Sequence, residues 1–289
     1  MLLFLVYQPA LLIVLYGSFD LSHGVHDKRS VMLDGLAYRR TGYQEHPAAF
    51  VATDDNIASA VQSYHLLTIY FGRRAAEGYF PFRSENAKDA NAKDLKEFYH
   101  VYPEGRVPPS LKEHTLALHE DLARIGHTLL GWIQDNTPEE VRAGFSEPLP
   151  RMLEHSKQNL LRILHYPALA EPPEPGEVRA AAHGDINLIT LLLTGTEPGL
   201  QARDTHGEWH DVPCDAGMMA INAGDMLEMA SGGHYPSTVH RVVNPPASRN
   251  VARFSMPMFC HPRPEVELEP GTTADDFLNE RLREIGLKS

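Results

Sequence analysis

With 289 residues, 43% of them hydrophobic, the chain is long enough to bury a sizeable core, and its composition argues for a folded protein rather than a disordered one. A net charge of −12, from 38 acidic against 26 basic residues, would repel nucleic-acid phosphates and anionic lipid, which sets polynucleotide and membrane partners aside. The two cysteines, Cys214 and Cys260, form no closely spaced framework of a small secreted domain, so a reducing cytoplasmic setting is expected.

The chain opens with an apolar stretch, Met1 to Tyr16, interrupted by Gln8 and Pro9. A membrane-spanning helix needs about 20 apolar residues. A secretory signal needs positive charge before its apolar region, and the first basic residue here is Lys28. The stretch therefore predicts a strand, over Leu11 to Leu15, at the edge of a sheet. Asp27 then caps a short helix that ends near Thr41-Gly42, and Asp54-Asp55 caps a second, where Ile57, Val61, Tyr64, Thr68 and Phe71 recur at helical spacing up to Gly72. The polar, turn-rich stretch from Gly78 to His100 reads as a loop that could cover a pocket. After Pro108-Pro109, Ser110 with Glu113 has the form of a capping box, and Leu118, Leu122, Ile125 and Leu129 give a buried helical stripe. Thr137-Pro138 with Glu140 predicts one more helix start.

Beyond Pro172-Pro173-Glu174-Pro175-Gly176 the punctuation changes to short apolar runs separated by Gly, Pro, Asp and Asn. Strands are expected at 186–193, 199–203, 208–212, 217–222, 226–230, 238–243 and 251–259, with Gly224-Asp225 as a hairpin turn. So many short strands close in sequence suggest antiparallel hairpins in a double-sheet jelly roll. The chain is expected to form one α+β domain over 1–289: a mainly helical region to 176, a jelly-roll core over 177–265 and a C-terminal helix over 266–289.

Three residues stand out chemically. His183 and Asp185 lie two apart just before an apolar run, and strand residues so spaced share a face. His240 sits on a later strand that a jelly roll could bring back beside them. Two imidazoles and a carboxylate occupy one face of an octahedral metal and leave the other face open, a ligand set suited to ferrous iron that must also hold O2 and a chelating 2-oxo acid. A His-x-Asp pair alone is weak support, since 16 histidines make chance pairs common and a single histidine is usually an ordinary hydrogen-bonded residue. Arg253 and Ser255 form a second pair two apart on a predicted strand. A guanidinium buried beside Phe254 and Met256 needs an anion, either the carboxylate of a ligand or an acidic neighbour in a structural ion pair.

These motifs, with AKDLKEFYHV, LHYP, HGDINLITLLL, INAGDMLEMASGGHYPSTVHRVVNP and RFSMPMFCHP in order, make the chain similar to the isopenicillin N synthase-like branch of the Fe(II)/2-oxoglutarate oxygenases. The resemblance runs over most of the chain. It implies a distorted double-stranded β-helix with N-terminal flanking helices, iron ligation by His183, Asp185 and His240, and binding of the 2-oxoglutarate C5 carboxylate by Arg253 and Ser255. Tyr166, before Pro167, takes the place of a family tyrosine that contacts the co-substrate, while Leu164 departs from the asparagine of many relatives. The activity implied is Fe(II)- and 2-oxoglutarate-dependent dioxygenation of a small organic molecule with O2, most simply hydroxylation, with no catalytic group beyond the metal ligands. Two other readings share these residues: an oxidase of the isopenicillin N synthase type that needs no 2-oxoglutarate, and a silent ligand-binding module on the same barrel. Neither the substrate nor the oligomeric state is written in the sequence.

Overall fold

In the computed structural model, residues 77–85, 92–215 and 217–284 are described in full and residues 12–16 by their backbone. The helices expected near 27–42 and 54–72 lie outside the described residues.

Two antiparallel sheets dominate. The larger has the order β1-β9-β6-β11-β4-β3-β2, built from Leu12–Tyr16 (β1), Gly78–Phe80 (β2), Glu97–Val101 (β3), Leu160–Tyr166 (β4), Ile189–Leu193 (β6), Met218–Ala223 (β9) and Arg253–Cys260 (β11). The smaller has the order β5-β10-β7-β8, from Ala180–His183 (β5), Leu200–Arg203 (β7), Trp209–Asp211 (β8) and His240–Val242 (β10). The opening strand is at the sheet edge, where Leu12 pairs with Asn222 and Tyr16 with Met218.

β11 shows how the sequence builds a wall with two different faces. Side chains alternate along a strand, so Arg253, Ser255, Pro257 and Phe259 line a cavity, while Met256, Met258 and Cys260 enter the main hydrophobic core. Pro257 has no N–H to give, and the paired residues toward β4 pass from Ser255↔Leu164 to Met258↔Leu161 across it.

Outside this wall lies the long helix α1, Lys112–Asp135, which buries Leu118, Leu122, Leu129, Leu130 and Ile133. Gly126 lets it come close, since a Cβ there would stand 2.6 Å from Cys260 Sγ. Next come the single turns α2 (Glu139–Arg142) and α3 (Leu149–Leu153), the latter contributing Leu149, Met152 and Leu153 to the core. A short hairpin, β12 (Glu267–Glu269) with β13 (Thr272–Thr273), leads into the C-terminal helix, Ala274–Glu284.

Four expectations need correction. The segment before 176 is not only helical flank: β2, β3 and β4 are integral strands of the larger sheet. Within the expected loop 78–100, Phe80 pairs with Phe98 and stacks on it at 4.6 Å, an aromatic cross-strand pair that the polar residues between them obscure. Asp225–Ala230 is a helix, α4, with Gly224 as its N-cap rather than a hairpin turn; Met226, Leu227 and Ala230 are buried at helical spacing. The Ser110–Glu113 capping box does not form, because Leu111 holds the N-cap position with no side-chain cap. The helix expected from Thr137-Pro138 does begin there, as α2 with Pro138 at its N-cap, while the Thr137 side chain turns back to α1, its Oγ1 donating to the Ile133 carbonyl at 2.7 Å.

Leu130 is fully enclosed between helix and sheet. Leu130→Ala should destabilise the fold by about 2–5 kcal/mol through lost transfer energy and a residual cavity. Urea denaturation with an unchanged slope and a lower midpoint is the expected result.

Candidate metal centre

β5 and β10 are hydrogen-bonded neighbours, and the ladder sets His183 opposite His240. Their rings lie 4.5 Å apart between centroids, tilted by 51°. Each ring is oriented by the backbone two residues before it. His183 Nδ1 donates to the Ala181 carbonyl at 2.7 Å and His240 Nδ1 to the Thr238 carbonyl at 3.0 Å. A carbonyl can only accept, so Nδ1 carries a proton in both rings, and a neutral ring then keeps its Nε2 lone pair for a cation. Burial, aided by the His240 ring beside it, pushes the His183 imidazole down to about 4, which leaves it neutral at pH 7.

Asp185 completes the cluster. It is only 6% exposed, and one oxygen stands 3.7 Å from His240 Nε2. The ligand atoms of His183, Asp185 and His240 all lie within 4.8 Å of one another. Burial alone would raise the Asp185 carboxyl, but the two imidazoles and two hydrogen bonds hold it below the usual range. Those bonds come from Thr190 Oγ1 at 2.6 Å and Asn222 Nδ2 at 2.9 Å, both to Oδ2. Thr190 and Asn222 face each other across the β6–β9 ladder. Sequence reasoning missed both, although a polar residue inside each apolar run, ITLLL and MMAINA, was a usable signal. Gly224 was missed too. A Cβ there would stand 2.2 Å from the Asn187 carbonyl oxygen, and the absence of one lets the Asp225 amide donate to the Asp185 carbonyl at 2.7 Å.

The same cavity holds Arg253, Ser255 and Tyr166. Arg253 is 2% exposed and stands opposite Tyr166 in the β4–β11 register, its guanidinium 5.2 Å from that ring's centre. Its Nε donates to the Glu197 carbonyl at 2.9 Å. Among the described residues no carboxylate forms an ion pair with Arg253, and its buried Nη1 has no hydrogen-bond partner. Gly195 makes room for this fork, since a Cβ there would lie 2.6 Å from Nη2. A second buried guanidinium, Arg179, stands 6.0 Å from the Tyr166 ring. Another cluster, Asp204, Glu208 and His210, is satisfied within its own hairpin: Asp204 accepts from His210 Nε2 at 2.8 Å and from the His206 and Glu208 amides.

The 2OG-Fe(II) oxygenase superfamily profile matches residues 157–262, the span that carries all six of these candidate residues. A solved Shewanella oneidensis structure assigned as an oxygenase is 46% identical, covering 80% of this chain and 85% of its own, with a TM-score of 0.69. A Caulobacter crescentus structure assigned to the 2OG-Fe(II) oxygenase family is 31% identical over 82% of this chain and 88% of its own, with a TM-score of 0.60. The chain belongs to the 2OG-Fe(II) oxygenase superfamily. Among curated relatives, the 2-oxoglutarate-dependent dioxygenase citB of Monascus ruber is 34% identical over 129 residues, 42% of this chain. The chain spans 38% of the length of that relative.

The donor set fits the superfamily's ferrous ion. Two imidazoles and one carboxylate are an appropriate set for a divalent cation, and the orphaned Arg253 Nη1 offers a donor to an anionic co-substrate.

His261, just beyond β11, is buried, and that burial pushes its imidazole down to about 4 from an ordinary value near 6.5. A lowered histidine value means that, below about 6.5, the unfolded chain takes up a proton that the folded chain refuses until about 4. Stability should therefore fall as pH drops through that window. Urea midpoints of metal-free protein at pH 7 and pH 5 measure this, and His261→Gln should lose less between the two than the wild-type chain.

Proposed function

We propose that the protein is an Fe(II)- and 2-oxoglutarate-dependent dioxygenase that oxidises, most simply hydroxylates, a small organic molecule. The observation that carries this reading is one cavity lined both by the His183, Asp185 and His240 cluster and by Arg253, a buried cation with no carboxylate partner among the described residues. When bound, ferrous iron with 2-oxoglutarate and O2 supplies the oxidising power that removes hydrogen from a substrate C–H bond while the co-substrate is converted to succinate and CO2. The chain supplies everything around that chemistry.

In this reading His183 and His240 offer their Nε2 atoms and Asp185 its carboxylate to the iron. The carbonyls of Ala181 and Thr238 fix the two rings, and Thr190 and Asn222 fix the carboxylate. Arg253 and Ser255 take the distal carboxylate of 2-oxoglutarate, with Tyr166 packed against the guanidinium. Leu164, Leu192, Leu200 and Val242 give the cavity apolar walls that exclude water.

The reading extends to architecture and setting. The two sheets form the distorted double-stranded β-helix of the isopenicillin N synthase-like branch, and residues 1–289 act as one oxygenase domain. No helix among the described residues is long and apolar enough to cross a membrane. Both cysteines are free thiols, and a reducing cytoplasm would keep them so and keep iron ferrous.

Two measurements test the assignments. Wild-type protein reconstituted without oxygen should bind one Fe(II) per chain, and His183→Ala or Asp185→Ala should abolish succinate release. Iron stoichiometry near one in both variants, with activity intact, would move the ligands elsewhere. Arg253→Ala should retain iron but raise the KM for 2-oxoglutarate at least about tenfold, as expected when a desolvated charged pair worth on the order of 2–5 kcal/mol is broken. An unchanged KM would move the co-substrate elsewhere, and turnover without 2-oxoglutarate would support the oxidase reading.

A further inference from the structure

The cavity has two more cations, and their counter-charges stand outside it. Lys96 and Arg162 line the cavity together with the candidate ligands, whereas Glu85 and Asp94, which neutralise them, do not. Lys96 Nζ meets Glu85 and Asp94, each at 2.8 Å. Arg162 gives Nη1 and Nη2 to the two Glu85 oxygens, at 3.2 and 3.4 Å, and Nε to His100 Nε2 at 2.7 Å. An ammonium has three donors and a guanidinium five. Among the described residues these contacts use two on Lys96 and three on Arg162, which leaves one and two for the cavity. Although burial opposes it, Glu85 and Asp94 keep Lys96 protonated, its ammonium held above the ordinary value. The donors are also rigid, since the Arg162 guanidinium lies 4.4 Å from the centre of the Phe98 ring and 5.3 Å from that of Phe259.

Strand geometry separates this pair from Arg253. Arg162 and Tyr166 point to the same face of β4 four positions apart, about 13 Å along the strand, and Arg253 is paired with Tyr166. The two guanidinium groups are also held by different rings, Arg162 by Phe98 and Phe259 and Arg253 by Tyr166, which gives the cavity two separately anchored cationic positions. The geometry points to a second anion subsite: we propose that Lys96 and Arg162 anchor a carboxylate of the substrate, so that the molecule oxidised here is a small organic acid. This rests on the oxygenase reading above. Phe259, which lines the same end of the cavity, offers apolar surface to the acid's carbon skeleton.

The test is calorimetric titration of the full-length chain, loaded with Fe(II) and 2-oxoglutarate without oxygen. The probes are a panel of matched pairs, each an aryl or alkyl carboxylic acid and its primary amide. At least one acid should bind at least about tenfold more tightly than its amide, and Arg162→Gln should remove that preference while 2-oxoglutarate affinity, titrated the same way, stays within about twofold. Because losing Arg162 strips Glu85 of a partner, the double variant Glu85→Gln/Arg162→Gln removes one charge of each sign and should show the same loss. Equal binding of acids and amides, no acid binding, or an equal fall in 2-oxoglutarate affinity would overturn the proposal. Absence of iron and 2-oxoglutarate binding in the wild-type chain would instead sink the oxygenase reading, and the same titrations report both.

Discussion

A carboxylate stays ionised inside a protein only when its surroundings replace the water it has lost, and the rest of this site depends on that being done for Asp185. Two imidazoles stand beside it, and one oxygen takes donors from Thr190 and Asn222. Those donors sit on the middle strands of the larger sheet, β6 and β9, while the imidazoles sit on the smaller sheet. The cluster therefore exists only where the two sheets face each other. Asn187 extends the arrangement by donating to Thr190 Oγ1 at 2.9 Å, which fixes the direction of the threonine hydroxyl. A loop residue, two strands and a paired histidine ladder thus converge on a single buried charge.

The cavity wall keeps to a common electrostatic design. Each inward cation is either compensated from behind, as Lys96 and Arg162 are by Glu85 and Asp94, or left open, as Arg253 is at Nη1. Compensation from behind lets a cation remain charged and immobile without filling the cavity, and it avoids the cost of an uncompensated buried charge. The Glu85 carboxyl is held below its usual range by Arg162 and Lys96 despite its burial. Glu85 and Lys96 thus favour each other's charged form.

How much of this was legible in the sequence depended on the range of the interaction involved. The i, i+2 spacing of Arg253 with Ser255 is local strand geometry within β11, whereas β5 ends at His183 and Asp185 follows it in the connection to β6; both pairs line the cavity. The stripe on α1 was legible for the same reason: Leu118, Leu122 and Leu129 are buried, with Ile125 at its margin. Strand β3 was hidden because Lys96, His100 and Glu97 read as polar loop residues, whereas Lys96 and His100 are buried only through partners such as Glu85 and Arg162 far along the chain. α4 was misread because Met226 to Ala230 alternates plausibly as a strand until Gly224 is seen to pack against Asn187 and start a helix. Thr190 and Asn222 needed the register of two strands to become meaningful, and register is a tertiary fact.

The backbone of Ala181 has a consequence of its own. Its N–H donates to Asp94 Oδ1 at 2.9 Å while its carbonyl accepts from His183 Nδ1 at 2.7 Å. The two bonds belong to successive amide groups joined at the Ala181 Cα, so together they fix the backbone that orients the histidine. Asp94 thereby acts on the orientation of His183 without lining the cavity, through the backbone of one residue. Amino-acid replacements at 94 and 183 are then not energetically independent: the effect of one depends on what occupies the other, and related chains would be expected to change at these two positions together or at neither.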